Sequence, residues 1–267
     1  LVDGNNLLFR SYFATAYSGN IMRNSKGFPT NGLYGLVNML NKIIKEEKPE
    51  YMLVAFDKGK TFRHEKYLDY KGGRNETPDD LKKQFAVAKE LVPLMWIKCF
   101  EIDNYEADDI IGTYSKMALI DPEFETTIVS SDKDLLQLIN EETEVKLLKQ
   151  KDYIRMNEET FIDTYGIKPI RMIDLKGLMG DASDNIPGVK GIGEKTALKL
   201  LQEYDSLENV YDNIDNIKGA TKQKLIDGKE SAFMSKDIAT IYNEVPVTYS
   251  LEELKYDGPD VNGLREM

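Results

Sequence analysis

Cysteine and histidine are almost absent: the 267 residues hold one of each, Cys99 and His64. An intrachain disulfide is therefore impossible, which fits a reducing compartment, and a cytoplasmic location is expected. A zinc site built from cysteine and histidine needs more ligands than the chain possesses. A Cys–His catalytic pair would have to join Cys99 to His64, and no motif surrounds either residue. Cys99 sits in Trp96-Ile97-Lys98-Cys99-Phe100, which reads as a half-buried strand. Long apolar runs are missing too. Nothing approaches the ~20 residues that cross a bilayer, and no secretory leader pattern is visible. No membrane partner is expected. Because Leu1 already lies in an apparent strand, we expect the natural chain to begin upstream of it.

Positive charge is also in deficit. Lys and Arg number 35 against 46 Asp and Glu, for a net charge of −11. Nucleic-acid binders usually carry a basic footprint, so the balance argues against that class until the acids are located.

The 41% hydrophobic and 30% charged composition is that of an ordinary globular chain, long enough for one large domain or two smaller ones. Apolar runs at 1–2, 51–56, 96–102, 126–130 and 144–148 read as strands. Helical periodicity at 33–44, 78–95 and 106–119 falls between them. That alternation predicts an α/β core with a mostly parallel central sheet flanked by helices, over residues 1–170. Past about residue 150 helix signals dominate, at 158–165, 169–179, 194–203, 206–212 and 229–242. A helical region is expected over 171–267.

The acids have a pattern. Asp3, Asp57 and the pair Asp132 and Asp134 each follow an expected strand. In open parallel sheets, ligands bind beyond the carboxyl ends of strands. Glu106, Asp108 and Asp109 open the helix at 106–119, with Glu106 and Asp109 on one face. Asp181 and Asp184 repeat that spacing. Each group alone has an ordinary explanation, as helix-dipole partner or turn residue. All nine together point to one site. So many carboxylates can share a pocket only if cations neutralise them. Oxygen-only ligands select Mg²⁺ or Mn²⁺, and two such ions ~3.5–4 Å apart form a common phosphodiester-cleaving centre. Setting the nine acids aside moves the net charge from −11 to −2, so the overall balance is a poor guide to a DNA-facing surface.

Bases are concentrated locally. The segment 58–74 contains Arg63, Lys71 and Arg74, with Tyr67 and Tyr70 available for stacking on bases. A solvated basic loop is the plain alternative. If helical, Lys71 and Arg74 would reach one phosphate and could offset developing charge. His64 reads as a bystander. The turn Gly188-Val189-Lys190-Gly191-Ile192-Gly193 joins two helices. It could be a simple turn, or a grip on the DNA backbone through Lys190, Gly191, Gly193 and Lys195.

In this order the motifs resemble the bacterial 5′-nuclease family, relatives of the flap endonucleases. The matching stretches are Val2-Asp3-Gly4-Asn5, Ala55-Phe56-Asp57, Thr61-Phe62-Arg63 with Tyr70-Lys71, Glu106-Ala107-Asp108-Asp109, Ser131-Asp132-Lys133-Asp134 and Gly180-Asp181-Ala182-Ser183-Asp184-Asn185-Ile186-Pro187-Gly188. The resemblance continues through Gly191-Ile192-Gly193 to Ser235-Lys236-Asp237. It implies a PIN-like core, a helical arch at about 60–100 and a helix-hairpin-helix motif at about 180–203. It also implies 5′→3′ exonuclease and flap endonuclease action, by a monomer, on branched DNA or duplex with a free 5′ end. Asp3, Asp57, Glu106, Asp108 and Asp109 would surround one metal ion. Asp132, Asp134, Asp181 and Asp184 would hold or support another. Lys71 and Arg74 would lie on the arch against the scissile phosphate, and potassium would bind backbone carbonyls near Val189 and Ile192.

Whether the chain stands alone or forms the first part of a polymerase stays open. Two other readings compete: a phosphatase of the haloacid dehalogenase type, and a DNA-structure-binding module without catalysis. The first needs a second Asp two residues after the nucleophile, where this chain has Asn5. The second leaves the acids unexplained.

Overall fold

The computed structural model describes residues 1–258 except Asn20 and Pro122; residues 259–267 of the expected helical region lie outside the described residues. One sheet contains β1 (Val2–Asp3), β2 (Leu53–Ala55), β3 (Lys98–Phe100), β4 (Thr126–Ser130), β5 (Thr143–Leu148) and β6 (Tyr153–Met156). Their spatial order is β3-β2-β1-β4-β5-β6. The first five strands are parallel, and β6 closes the edge antiparallel to β5. The chain works outward from β1 to β3, then returns to pair β4 with the other side of β1. That reversal leaves a crevice at the carboxyl ends of β1 and β4, the switch point where open sheets bind ligands.

Both faces of the sheet are covered, so its strands are apolar on both sides. Val2 and Val54 pack into one core with α1 (Gly4–Ala16), α2 (Asn31–Glu47) and α4 (Asp79–Leu94). Leu53, Ala55 and Ile128 face the other core, with α5 (Ala107–Ile120). A short helix, α3 (Phe62–Lys66), precedes α4. The second core runs on without a break into the helical part. That part comprises α6 (Glu158–Tyr165), α7 (Met172–Met179), α8 (Glu194–Tyr204), α9 (Leu207–Asp212), α10 (Gly219–Asp227) and α11 (Lys229–Ala239).

Two local devices set the site. Gly-Asn-Asn is a poor helix opening, yet α1 begins at Gly4 because the Asp3 carboxylate caps the Asn6 N–H at 3.0 Å. A Cβ at Gly4 would stand 2.7 Å from the Phe56 ring, so glycine is what lets α1 start hard against β2. In the turn between α7 and α8, a Cβ on Gly188 would stand 2.2 Å from the Gly180 nitrogen. Only glycine permits that backbone-on-backbone contact.

The expected arch at about 60–100 divides into unequal parts. Leu81, Ala88 and Val92 of α4 are fully buried against α1 and α2, so α4 is a core helix. What lines the crevice from this segment is the turn-rich strap after α3, through Lys71 and Arg74. Lys71 has φ +58°, outside the helical range. The conditional expectation of a shared helical face for Lys71 and Arg74 is therefore corrected. Among the described residues, no helix is long and apolar enough to cross a membrane.

Candidate active site

Three strand ends are laced together at the crevice. Asn5 Oδ1 accepts the Asp57 N–H at 2.9 Å, tying β1 to β2. Asn6 Oδ1 accepts the Ser131 N–H at 2.9 Å, tying β1 to β4. Ser130 Oγ donates to Asp3 at 2.9 Å and accepts the Asp132 N–H at 3.0 Å. Asp57 Oδ1 in turn accepts the Ala107 N–H at 2.7 Å, capping α5 and bringing its acids to the same place. The result is a cavity of about 200 Å³ lined by Asp3, Asp57, Glu106, Asp108 and Asp132, with Lys71 and Arg74 on its rim. A cavity of about 450 Å³ lies near Tyr51, Phe124 and Leu254. It touches none of the nine acids, whereas the smaller cavity gathers five of them and is the candidate site.

Asp134, Asp181 and Asp184 flank that cavity. Lys176 of α7 bridges Asp134, at 2.9 Å, and Asp181. Arg74 pairs with Asp184, while the Lys71 N–H donates to the Asp184 carbonyl at 2.8 Å and Asn185 Nδ2 to the Asp69 carbonyl at 2.8 Å. The strap is thereby pinned to the turn that follows α7. Lys71 Nζ pairs with Glu106.

Burial governs the electrostatics. It pushes the Asp3 carboxyl up to about 7, helped by the charges of Asp57 and Asp132. It likewise lifts Asp134 to about 7, helped by Asp132. Asp57 and Asp132 are raised by the same cause, and Asp108 is raised well above the usual range with four acids around it. Burial also acts on Glu106, but Lys71 and Arg63 outweigh it and hold that carboxyl low. Lys176 and Ser183 do the same for Asp181.

Hard oxygen donors, desolvated and short of positive charge, fit divalent magnesium or manganese. Among the described residues, no group of three or more His, Cys, Asp or Glu side chains is already arranged to hold an ion. Lys71, Arg74 and Lys176 hold several of the carboxylates instead. An incoming ion would have to draw acids away from these amines.

A pH dependence follows. An acid whose carboxyl is raised on folding favours the fold when protonated, and that advantage fades as it ionises. The metal-free protein should thus lose stability as pH climbs from about 4 through about 7. Glu106 and Asp181 act oppositely, but only below their ordinary range. Ions compete with the protons on Asp3 and Asp134. The rise in Tm on adding millimolar Mg²⁺ should be at least about twice as large near pH 8 as near pH 6. Equal shifts in thermal melts at the two pH values would count against this coupling.

Three expected site residues have other work. Asp109 is fully buried, and its oxygens accept from Arg63 Nη1 at 2.8 Å and Nη2 at 2.7 Å, from the Glu106 N–H at 2.9 Å and from the Tyr242 N–H at 2.9 Å. With both oxygens saturated it is not positioned as a metal ligand. Arg63 is 2% exposed. It spends its donors on Glu106, Asp109 and the carbonyls of Ile238 and Thr240, so it is a structural clamp and not a DNA contact. Tyr70 is 5% exposed with its hydroxyl on Glu106 at 3.1 Å, which removes it from base stacking. Lys190, Gly191, Gly193 and Lys195 are exposed at the hairpin. Val189 and Ile192 are buried, and the Val189 carbonyl already accepts the Ile192 N–H at 3.1 Å.

Sequence reasoning passed over Lys176, Asn6 and Ser130. Lys176 had a signal: α7 reads Met-Ile-Asp-Leu-Lys-Gly-Leu-Met, and its two charges stand in an otherwise apolar helix.

Residues 1–166 match the 5′-3′ exonuclease N-terminal resolvase-like domain, and residues 167–262 match the 5′-3′ exonuclease C-terminal SAM fold. DNA polymerase I of Streptococcus pneumoniae is 47% identical over 99% of this chain, and that of Bacillus subtilis 46% identical over 97%. The chain spans about 30% of the length of the first of these and 29% of the second. Among solved structures, the bacteriophage T5 5′-exonuclease with bound zinc aligns at TM-score 0.71 and 26% identity, covering 90% of this chain and 88% of that one. The catalytic core of Rad2 in complex with DNA substrate aligns at TM-score 0.63 and 18% identity, over 99% of this chain and 84% of that one, a likeness of fold alone. With both halves of the sequence matched in order, and with full-length similarity far above what a shared fold requires, the chain belongs to the 5′-3′ exonuclease family.

Proposed function

We propose that this chain is a divalent-metal-dependent 5′ nuclease that hydrolyses DNA phosphodiester bonds and releases a 5′-phosphate product. It acts as a cytoplasmic monomer, trimming free 5′ ends and cutting 5′ flaps of branched DNA in replication and repair. The observation that carries this reading is the convergence of Asp3, Asp57, Asp108 and Asp132 on one crevice with Lys71 and Arg74 at its rim. The relatives support it: one T5 structure is a flap endonuclease pseudo-enzyme-product complex with DNA and metal ions, at 25% identity and TM-score 0.72.

Asp3, Asp57, Glu106, Asp108 and Asp132 would hold two or more Mg²⁺ or Mn²⁺ ions, with Asp134, Asp181 and Asp184 beside them. Bound ions of this kind supply Lewis acidity and lower the pKa of water. The protein does the rest. Asn5, Asn6 and Ser130 fix where the acids stand. Burial keeps bulk water from screening them. Arg74 and Lys71 offer the strand's phosphates positive charge at the mouth of the crevice. Glu106, Asp184 and Asp57 hold the Lys71 ammonium protonated despite its burial. It can therefore stabilise charge on the leaving 3′ oxygen.

Lys71→Ala should lower the rate at saturating flap substrate by about 10²-fold, because the amine acts chiefly in the transition state. A change confined to KM would contradict that role. The reading as a whole is tested by incubating a 5′-labelled flap substrate with Mg²⁺ and with EDTA and resolving product lengths. Short labelled products should appear with Mg²⁺ alone. Intact substrate in both reactions, with the protein folded, would overturn the proposal.

A further inference from the structure

The acids of the crevice differ in the company they keep. Asp3, Asp57, Asp108 and Asp132 line the cavity, and among the described residues none of them forms an ion pair with a Lys or Arg. Asp134 and Asp181, on its flank, share one cation. Lys176 Nζ stands 2.9 Å from Asp134 Oδ1 and also pairs with Asp181 Oδ2. The other Asp181 oxygen accepts the Ser183 N–H at 2.8 Å and Ser183 Oγ at 2.7 Å. The oxygen left over is therefore the one the ammonium holds. Solvent does little to loosen this arrangement, because the Lys176, Asp134 and Asp181 side chains are only 15%, 18% and 12% exposed. Lys176 extends from α7, apolar apart from this residue and Asp174, and α7 packs along α11. Burial weighs against the ammonium, and Asp134 and Asp181 outweigh it and keep the charge. Arg74, by contrast, meets Asp184 from the strap with 51% of its side chain exposed.

We propose that the Lys176 ammonium is a resident counter-cation between Asp134 and Asp181, and that a divalent ion enters this flank of the acid cluster only by displacing it. A lysine suits that role: its charge is compact and sits on a long flexible stem, so it can withdraw without moving the backbone of α7. While seated, it neutralises two carboxylates that would otherwise repel each other in a poorly solvated place. An ion arriving there must part the ammonium from both acids. The four cavity acids have no such competitor. An ion therefore settles among them first, and the flank takes its ion more weakly. Lys176 is a positioning residue that sets the order and the inequality of ion binding.

This rests on the reading of the cluster as a divalent-metal centre, and one titration separates the two claims. Mn²⁺ is added to DNA-free protein at one pH and ionic strength, and the free ion is read by electron paramagnetic resonance. The unaltered chain should take one ion and then a second at least about tenfold more weakly. Lys176→Met keeps the length of the side chain and removes its charge. It should bind the second ion about tenfold more tightly, with the first unchanged within about twofold. Lys176→Arg restores a cation and should keep the second ion as weak as in the unaltered chain, or weaker. Thermal melts establish that each variant is folded. Two ions of equal affinity on the unaltered chain overturn the proposal, even if Lys176→Met does not fold. So does a folded Lys176→Met that leaves the second affinity where it was or tightens both ions alike, or a Lys176→Arg that binds the second ion as tightly as Lys176→Met. Those results refute the counter-cation and leave the metal centre standing. A folded, unaltered chain that takes up no Mn²⁺ refutes the metal-centre reading and the counter-cation together.

Discussion

Asp132→Ala is expected to lower cleavage of a 5′-flap substrate by at least about 10³-fold while the protein still binds the flap. Asp132 is the acid at the switch point. It lines the cavity, its backbone is pinned through Ser130 to Asp3, and its charge raises the carboxyls of Asp108, Asp3 and Asp134. Removing it takes away a proposed oxygen ligand and changes the charge felt by its neighbours together. The backbone turn it caps, with its carboxylate on the Asp134 N–H at 2.9 Å, is short and partly exposed, so the fold should survive. Single-turnover cleavage and anisotropy with the same labelled flap read the two effects separately. Turnover comparable to the unaltered chain in Mg²⁺ would remove Asp132 from the site.

Arg63→Leu should destabilise the fold by about 3–5 kcal/mol, because it leaves the fully buried Asp109 carboxylate without a counter-charge. The Arg63 side chain is 3% exposed and Asp109 is fully buried, and the arginine also satisfies the Ile238 and Thr240 carbonyls at the end of α11. Arg63→Leu combined with Asp109→Leu should recover part of the loss, since no charge is then stranded on Asp109. Urea unfolding of both variants gives the comparison. A single variant losing under about 1 kcal/mol would show that the clamp is not the structural hub described here.

These two residues show where sequence was a good guide and where it was not. The strand-end acids were legible because a parallel sheet sends all its carboxyl ends to one edge, and β4 lies at 126–130 as its apolar run implied. The site followed from topology. The split between Asp108 and Asp109 did not. Adjacent helical residues point about 100° apart, and which one meets the cavity depends on how α5 rolls against the sheet. Arg63 and Tyr70 have the composition of a DNA-binding segment, and only the tertiary fold turns them inward. The elements that were missed have local causes. The start of α1 is Gly-Asn-Asn, helical only because Asp3 caps it. β6 is a four-residue edge strand without alternation, and α10 opens as Gly-Ala-Thr-Lys, which reads as a basic turn.

The crowded acids of the crevice are proposed to be a seat for divalent cations. Counting bound Mn²⁺ by electron paramagnetic resonance on DNA-free protein tests it without reference to catalysis. Two or more Mn²⁺ per chain are expected at neutral pH, with fewer on Asp108→Asn and release on acidification through about pH 7, where Asp3 and Asp134 take up protons. A folded chain that binds no Mn²⁺ at millimolar concentration would contradict it.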